Sequence, residues 1–199
     1  MIYLKPSHIL LYLFLLVGGI ITAFLIWLIV IMPLQIVHPI EFRPLEIDEK
    51  TMESASAKIE DFLSDDKTLV LSLEEAAGIL KKSIERDLGL TVTDVYLDLH
   101  GDNKATAIFK IEIKDIPRSN LLTILFRLRN VEYTTTLISA SLKALNRGIG
   151  YTINDFRIGG FKIPDIIVKK LFREGQRRFD KINIIDVRFE NNSIIIERG

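Results

Sequence analysis

The first pattern along the chain is an apolar stretch from Ile9 to Met32 that contains no ionisable residue. A helix needs about 20 such residues to cross a hydrocarbon core about 30 Å thick. The adjoining segment, 31–35, lacks the small residues of a signal-peptidase site. The pattern therefore predicts an uncleaved signal anchor, in which Ile9 to Met32 form a single-pass transmembrane helix within an N-terminal membrane anchor of residues 1–34.

A short segment with repeated prolines separates this stretch from the rest of the chain. Residues 35–47 include Pro39 and Pro44, and proline disfavours helix at its own position and at the one before it. We expect an extended linker that holds a domain off the membrane. Residues 48–199 are then one soluble domain, because about 150 residues is an ordinary domain size.

Two segments after the linker have the spacing of amphipathic helices. From Asp48 to Leu63, apolar residues recur near helical spacing, which predicts a helix on the outside of the domain or a stalk. In the second segment, Ser72 and Glu75 match a capping box, and Gly89 is placed to end the helix in a left-handed conformation. The predicted apolar face of this second helix comprises Leu73, Ala76, Ala77, Leu80, Ile84 and Leu88.

Alternation of apolar and polar residues predicts strands through the middle of the chain. A hairpin is expected around the turn residues Gly101 to Lys104, with apolar residues on one face of both strands. The stretch from Leu121 to Arg129 fits either a strand or a short helix. Further strands are predicted at Val131 to Leu142, Tyr151 to Ile158, Ile182 to Phe189 and Ser193 to Glu197.

A third helix is predicted to begin near Pro164 and Asp165, since proline is tolerated in the first turn and an acidic residue favours the positive end of the helix dipole. One side of this helix would carry Ile167, Val168, Leu171, Phe172 and Phe179. The opposite side would carry the basic residues Lys169, Lys170, Arg173, Arg177 and Lys181. Such a face either contacts anionic lipid headgroups or is an ordinary solvated surface.

The order of these elements indicates the fold class. A helix, a strand-rich middle, another helix and a final hairpin predict an α+β domain, with a mainly antiparallel curved sheet packed by two or three helices. A helix laid across such a sheet leaves either a filled core or an apolar groove. If a groove is present, we expect its lining to be Leu80, Ile84, Leu97, Leu99, Phe109 and Ile111.

Charge and composition limit the classes of partner. The chain has no net charge, although residues 41–116 are net acidic and residues 117–199 are net basic. A duplex-binding domain is usually basic overall and carries a reading motif, so we expect no nucleic-acid partner. The absence of cysteine leaves the redox compartment undecided.

The residues that usually carry catalysis are sparse. The three histidines are His8, His38 and His100, and no cysteine accompanies them, so the sequence predicts no metal site, no cofactor and no enzyme activity. His100 lies beside Asp98 and Asp102, a group that we interpret as a solvated turn.

Two motifs resemble those of a bacterial protein group. The segment Leu71-Ser72-Leu73-Glu74-Glu75 opens a capped helix, and Ile158-Gly159-Gly160-Phe161-Lys162-Ile163-Pro164 opens another before a final hairpin. Over residues 68–199 the chain resembles the anchored or exported lipid-binding-like domains of the YpmS and LmeA type. The resemblance implies a tubular fold that holds acyl chains between sheet and helix, without catalysis.

These observations lead to one expected function and one alternative. We expect a cell-membrane protein whose domain lies outside the cytoplasm and binds a lipid or another apolar ligand, with the bilayer as its first partner. Short-tailed N-terminal anchors usually export the domain attached to their C-terminal end, which favours that orientation. The alternative is a structural protein that recruits partners to an envelope-associated complex, with the sheet interior as a filled core.

Overall fold

The computed structural model describes residues 19–23, 32–64, 67–115, 130–145, 148–172, 175–178 and 183–199. Its helices are α1 (Met32–Val37), α2 (Glu49–Ser64), α3 (Leu73–Leu88) and α4 (Asp165–Phe172). Its strands are β1 (Thr68–Ser72), β2 (Val92–His100), β3 (Lys104–Glu112), β4 (Tyr133–Leu145), β5 (Gly148–Ile158), β6 (Phe161–Lys162), β7 (Gly175–Arg178), β8 (Ile184–Glu190) and β9 (Ser193–Arg198).

The described strands form two sheets, and every pair in them is antiparallel. The larger sheet has the order β2-β3-β4-β5-β6, and β7 also pairs with β5. The smaller sheet has the order β1-β9-β8. The prediction of an α+β fold with mainly antiparallel strands and few helices is therefore confirmed, although the described strands form two sheets where one was predicted.

The ends of α3 follow from its sequence. The Ser72 hydroxyl accepts a hydrogen bond from the Glu75 amide at 3.2 Å, and the Glu75 carboxylate accepts one from the Ser72 amide at 2.9 Å. Gly89 has a φ of 64° and closes the last turn by donating its amide hydrogen to the carbonyl of Glu85. The predicted capping box and the glycine stop are both confirmed.

The hairpin of β2 and β3 also matches its prediction, and its turn joins the two sheets. Asn103 has a φ of 55° in this turn. Its side-chain amide donates to the Val187 carbonyl in β8 at 2.6 Å, and its backbone carbonyl accepts from the Leu142 amide in β4 at 2.8 Å. One turn residue thus forms hydrogen bonds with a strand of each sheet.

The main core lies between α3 and the two sheets. Its buried residues come from α2, α3 and five strands, so each of these elements contributes apolar side chains to one cluster. The buried members are Phe62, Leu69, Leu71, Ala76, Ala77, Val92, Val95, Leu97, Ala107, Phe109, Ile111, Ile184, Val187 and Ile196. Helix α2 belongs to this domain, because Ala55 and Phe62 are buried and α2 contacts α3. The alternative of a free stalk is wrong.

Residues 38–48, between α1 and α2, form neither helix nor strand and lie against the domain, whereas residues 35–37 of the predicted extended linker are helical and belong to α1. Ile36 is buried with Ile113 and Phe161 in a second cluster. The Ile40 amide donates to the Thr135 hydroxyl at 2.7 Å, and the Leu45 amide donates to a carbonyl of β2 at 2.8 Å. The residues that we expected to form a spacer therefore pack on the sheet.

The third predicted helix is shorter than its periodicity suggested. Helix α4 ends at Phe172, and Gly175–Arg178 is a strand paired with β5, where Arg177 lies opposite Ile149. Glycine is a poor helix residue and is compatible with an extended edge strand, so Gly175 favours the change. The prediction of one basic helical face from Lys169 to Lys181 is wrong, because Arg177 is not in the helix.

Several predictions fall outside the described residues. These are the stretch Leu121 to Arg129, the positions Arg173, Phe179 and Lys181, and most of the apolar segment Ile9 to Met32. None of the helices in the described part of the chain has the length and apolar character needed to cross a membrane.

Candidate functional site

The six residues predicted to line a groove lie mostly in the main core. Leu97, Phe109 and Ile111 are buried members of it. Ile84 and Leu99 are partly buried and pack against that core, whereas the Leu80 side chain is 37% exposed on α3. An apolar ligand at this position would have to displace packed side chains, so the structure favours the filled-core alternative for these residues.

A different part of the same sheet face is less covered. Strands β4 and β5 form a hairpin longer than β2 and β3, and the register sets Ala107 of β3 beside Ile138 of β4 and Ile138 beside Phe156 of β5. Because paired residues in a sheet share a face, the core-facing side continues across the hairpin. On it lie Ala140, Tyr151, Ile153 and Phe156, which we call the hairpin strip.

All four side chains of the hairpin strip are partly exposed. Among the described residues, one core cluster reaches Ile149 and another reaches Ile158, and the hairpin strip lies between these two positions. Strand β8 contacts β4 and β5 from one side, and α4 contacts β5. The hairpin strip is therefore a partly exposed apolar surface between two packed regions.

A bulge in β5 creates this continuous surface. The register shifts where Ser139 pairs with Asp155 and Ala140 with Ile153, which leaves Asn154 as the extra residue. Its side-chain amide donates to the Ser141 hydroxyl at 2.7 Å. The extra residue returns the next apolar side chain, Ile153, to the face of Phe156, although an uninterrupted strand would place it on the opposite face.

The opposite face of the sheet has a more polar cavity. Its volume is about 620 Å³, and it is lined by Thr93, Lys110, Glu112, Ile113, Lys114, Val131, Glu132 and Tyr133. The Lys110 ammonium lies 3.1 Å from the Asp94 carboxylate and 4.3 Å from the centre of the Tyr133 ring. Lys114 pairs with Glu112. Because each of these lysines already pairs with a carboxylate of the domain, the cavity presents two neutralised cations to a ligand.

The histidine that we considered for chemistry has ordinary surroundings. Nε2 of His100 lies 3.1 Å from the Thr106 hydroxyl and 3.8 Å from the Asp98 carboxylate, and the side chain is exposed. In the described residues, no three histidine or acidic side chains converge in a way that would hold a metal ion. A single exposed imidazole with a distant carboxylate lacks the third group that positions a catalytic base.

The basic residues predicted to meet lipid headgroups are divided between elements. Lys169 and Lys170 are in α4 and Arg177 is in β7, while Arg173 and Lys181 lie outside the described residues. Contact of these residues with headgroups stays a prediction.

Sequence reasoning missed the hairpin strip because it treated Tyr151 to Ile158 as a regular strand. The signal was present in the spacing: Tyr151, Ile153 and Phe156 break the alternation at Asn154, a polar residue common in irregular backbone. Comparison of the chain with protein-family models, with curated proteins and with solved structures finds no match.

Proposed function

We propose that this chain is a membrane-anchored, non-catalytic protein whose domain lies outside the cytoplasm and binds a lipid or another apolar ligand on the hairpin strip. The observation that carries the proposal is the partly exposed apolar surface of Tyr151, Ile153 and Phe156 beside the main core. The hairpin strip replaces, as the proposed binding site, the groove predicted around Phe109.

The proposed anchor rests on the sequence. The segment from Ile9 to Met32 is apolar and free of ionisable residues, as a spanning helix requires. The end of that segment is close to the domain, because Ile36 is buried in the domain only four positions after Met32. An anchored domain with so short a connection would remain beside the bilayer, where a lipid is an abundant apolar ligand.

The test is quantification of lipid retained by the purified full-length chain. The full-length chain is used because the domain includes residues before its first long helix: Ile36 is buried, and the Ile40 amide bonds to Thr135. The protein is purified in detergent through repeated size-exclusion steps, and its lipids are extracted and measured by mass spectrometry. We compare wild type with Ile153→Gln in the hairpin strip and with Val70→Gln, an apolar-to-polar control at an exposed position of β1.

A lipid that remains in a fixed molar ratio to wild type and Val70→Gln, but is lost from folded Ile153→Gln, supports the proposal. If all three proteins retain the same amount of lipid, that lipid is bound by the anchor, and the proposed site is overturned. Photocrosslinking with a diazirine fatty acid locates the contact independently. Trypsin releases residues 148–157, which contain Ile153, separately from residues 105–110, which contain Phe109.

The recruitment of an envelope protein is a second candidate, and one observation favours it. Val70 and Ile185 are exposed on the smaller sheet, where β1 and β8 are the edge strands of the described order. Exposed apolar side chains on edge strands are suited to pairing with another chain. Crosslinks from these two positions to one protein, together with a lipid-free hairpin strip, would favour this candidate.

A further inference from the structure

Helix α4 has an apolar surface that the domain leaves uncovered. The Ile166 side chain is 78% exposed and that of Ile167 is 45% exposed, whereas the next residue, Val168, is buried. The helix therefore faces the domain through Val168 and turns two adjacent isoleucines away from it. Two exposed isoleucines in one helical turn are unusual on a surface that contacts only water.

The position of α4 in the fold suggests what contacts these isoleucines. The Gly160 amide donates a hydrogen bond of 2.8 Å to the carbonyl of Gln35 in α1. Asp165, the first residue of α4, follows Gly160 by five positions, so extended backbone can separate them by no more than about 18 Å. Met32 precedes Gln35 by three helical positions, about 4.5 Å along the axis of α1. The hydrogen bond and the short connecting chain thus limit how far the start of α4 can lie from the point where the apolar segment ends.

The chemistry of the neighbouring residues fits a lipid headgroup region. Lys162 is exposed, just before α4, and Lys169 and Lys170 are in α4 itself. Position 170 follows Ile166 by four residues, so the two positions are on the same side of the helix. A short helix that combines apolar and basic positions in this way is typical of segments that lie in the plane of a bilayer surface.

We propose that α4 lies on the bilayer surface, with Ile166 and Ile167 inserted among the lipid headgroups next to the point where the anchor emerges. The inference rests on the anchor described under the proposed function, but not on lipid binding by the hairpin strip. The contact would fix the orientation of the domain relative to the membrane, because the domain would be held at both α1 and α4.

The experiment uses the absence of cysteine from the chain. Single cysteines at Ile166 and Ile167 are labelled with an environment-sensitive fluorophore in the full-length protein, reconstituted into vesicles of phosphatidylcholine and phosphatidylglycerol. Control labels are placed at Val70, which is 45% exposed, and at Ile185, which is 56% exposed. Both controls are in the smaller sheet and, like the two test positions, carry exposed β-branched aliphatic side chains.

We expect a blue-shifted emission at 166 and 167, and several-fold stronger quenching there than at 70 and 185 by lipids that carry a spin label near the headgroup. Equal quenching at all four positions, in protein that resists alkaline extraction from the vesicles, would overturn the surface contact and leave the anchor intact. Release of the protein by alkaline extraction would instead overturn the anchor, and the inference with it.

Discussion

The backbone carbonyl of Gln35 accepts a hydrogen bond of 2.8 Å from the backbone amide of Gly160. The preceding residue, Gly159, has a φ of 56°, and a Cβ atom built on it would lie 2.2 Å from the carbonyl oxygen of Ile36. The two backbones approach so closely that position 159 has no room for a side chain. The turn between β5 and β6 is therefore shaped to receive α1.

We expect Gly159→Ala to destabilise the domain by more than about 2 kcal/mol, because it adds both an unfavourable left-handed conformation and a clash with a backbone oxygen. Gly101→Ala is the control, since no atom lies within 4 Å of a Cβ atom there. Thermal unfolding of the full-length variants measures the difference. Equal melting temperatures would show that α1 is not seated on this turn.

Asn103→Ala is expected to weaken the junction between the two sheets. It removes the 2.6 Å hydrogen bond to the Val187 carbonyl, and leaving that carbonyl without its partner should cost about 1–3 kcal/mol. Asn192→Ala is the matched control, because Asn192 also has a positive φ, of 58°, in an exposed turn. Chemical denaturation should show a larger loss of unfolding free energy for Asn103→Ala than for Asn192→Ala. Equal losses would mean that the whole effect comes from the positive φ and not from the hydrogen bond to Val187.

The stability contributed by Glu75 should depend on pH. Burial raises the pKa of this carboxyl, but hydrogen bonds from Lys58, Ser54 and the Ser72 amide outweigh that effect and hold the pKa below its ordinary value of 4.5. A group whose pKa is lowered on folding stabilises the fold when it is ionised, which is the case above its unfolded pKa. That stabilisation is lost as the pH falls through the folded pKa.

Glu75→Gln should therefore cost about 1–3 kcal/mol at neutral pH, since it breaks the charge-assisted bonds. When unfolding is measured from pH 7 down to below pH 4, the difference in unfolding free energy between Glu75→Gln and wild type should become smaller as Glu75 is protonated. Glu74→Gln, on the same first turn, serves as the control. A difference that stays constant across this range would contradict the ionised role of Glu75.

Phe109→Ala separates a filled core from a groove. Because Phe109 is buried in the main core, we expect a loss of about 3–5 kcal/mol in unfolding free energy and no change in the identity of retained lipid. Leu80→Ala, at a partly exposed position of α3, should cost much less. Retention of full stability with altered lipid content would restore the groove that the sequence suggested.

Short sequence patterns predicted the elements whose ends are set by neighbouring residues. The capping box at Ser72 and the stop at Gly89 involve neighbouring residues, so the sequence was sufficient for α3. The seating of α1 and the linker depends on partners far along the chain, such as Ile40 with Thr135 and Gln35 with Gly160, and no periodicity encodes those pairs. The predicted linker therefore begins with three helical residues of α1 and packs on the domain, and neither feature was expected from its prolines.

The candidate site was harder to predict than the fold. Apolar positions on a strand look the same whether a helix covers them, as at Phe109, or a neighbour leaves them partly open, as at Ile153. Periodicity also overestimated the third helix, because the residues up to Phe172 keep a helical pattern that the pairing of β7 with β5 overrides from Gly175.

The order of strands in the smaller sheet has a consequence for synthesis. Strand β9 lies between β1 and β8, and Thr68 of β1 pairs with Glu197 of β9. In a chain that emerges from a ribosome or a translocation channel, β1 and β8 appear before β9 (Ser193–Arg198). Neither strand can pair in this sheet until β9 has emerged. Until then β1 and β8 lack the strand that pairs with both of them, and unpaired strand edges of this kind are prone to aggregation.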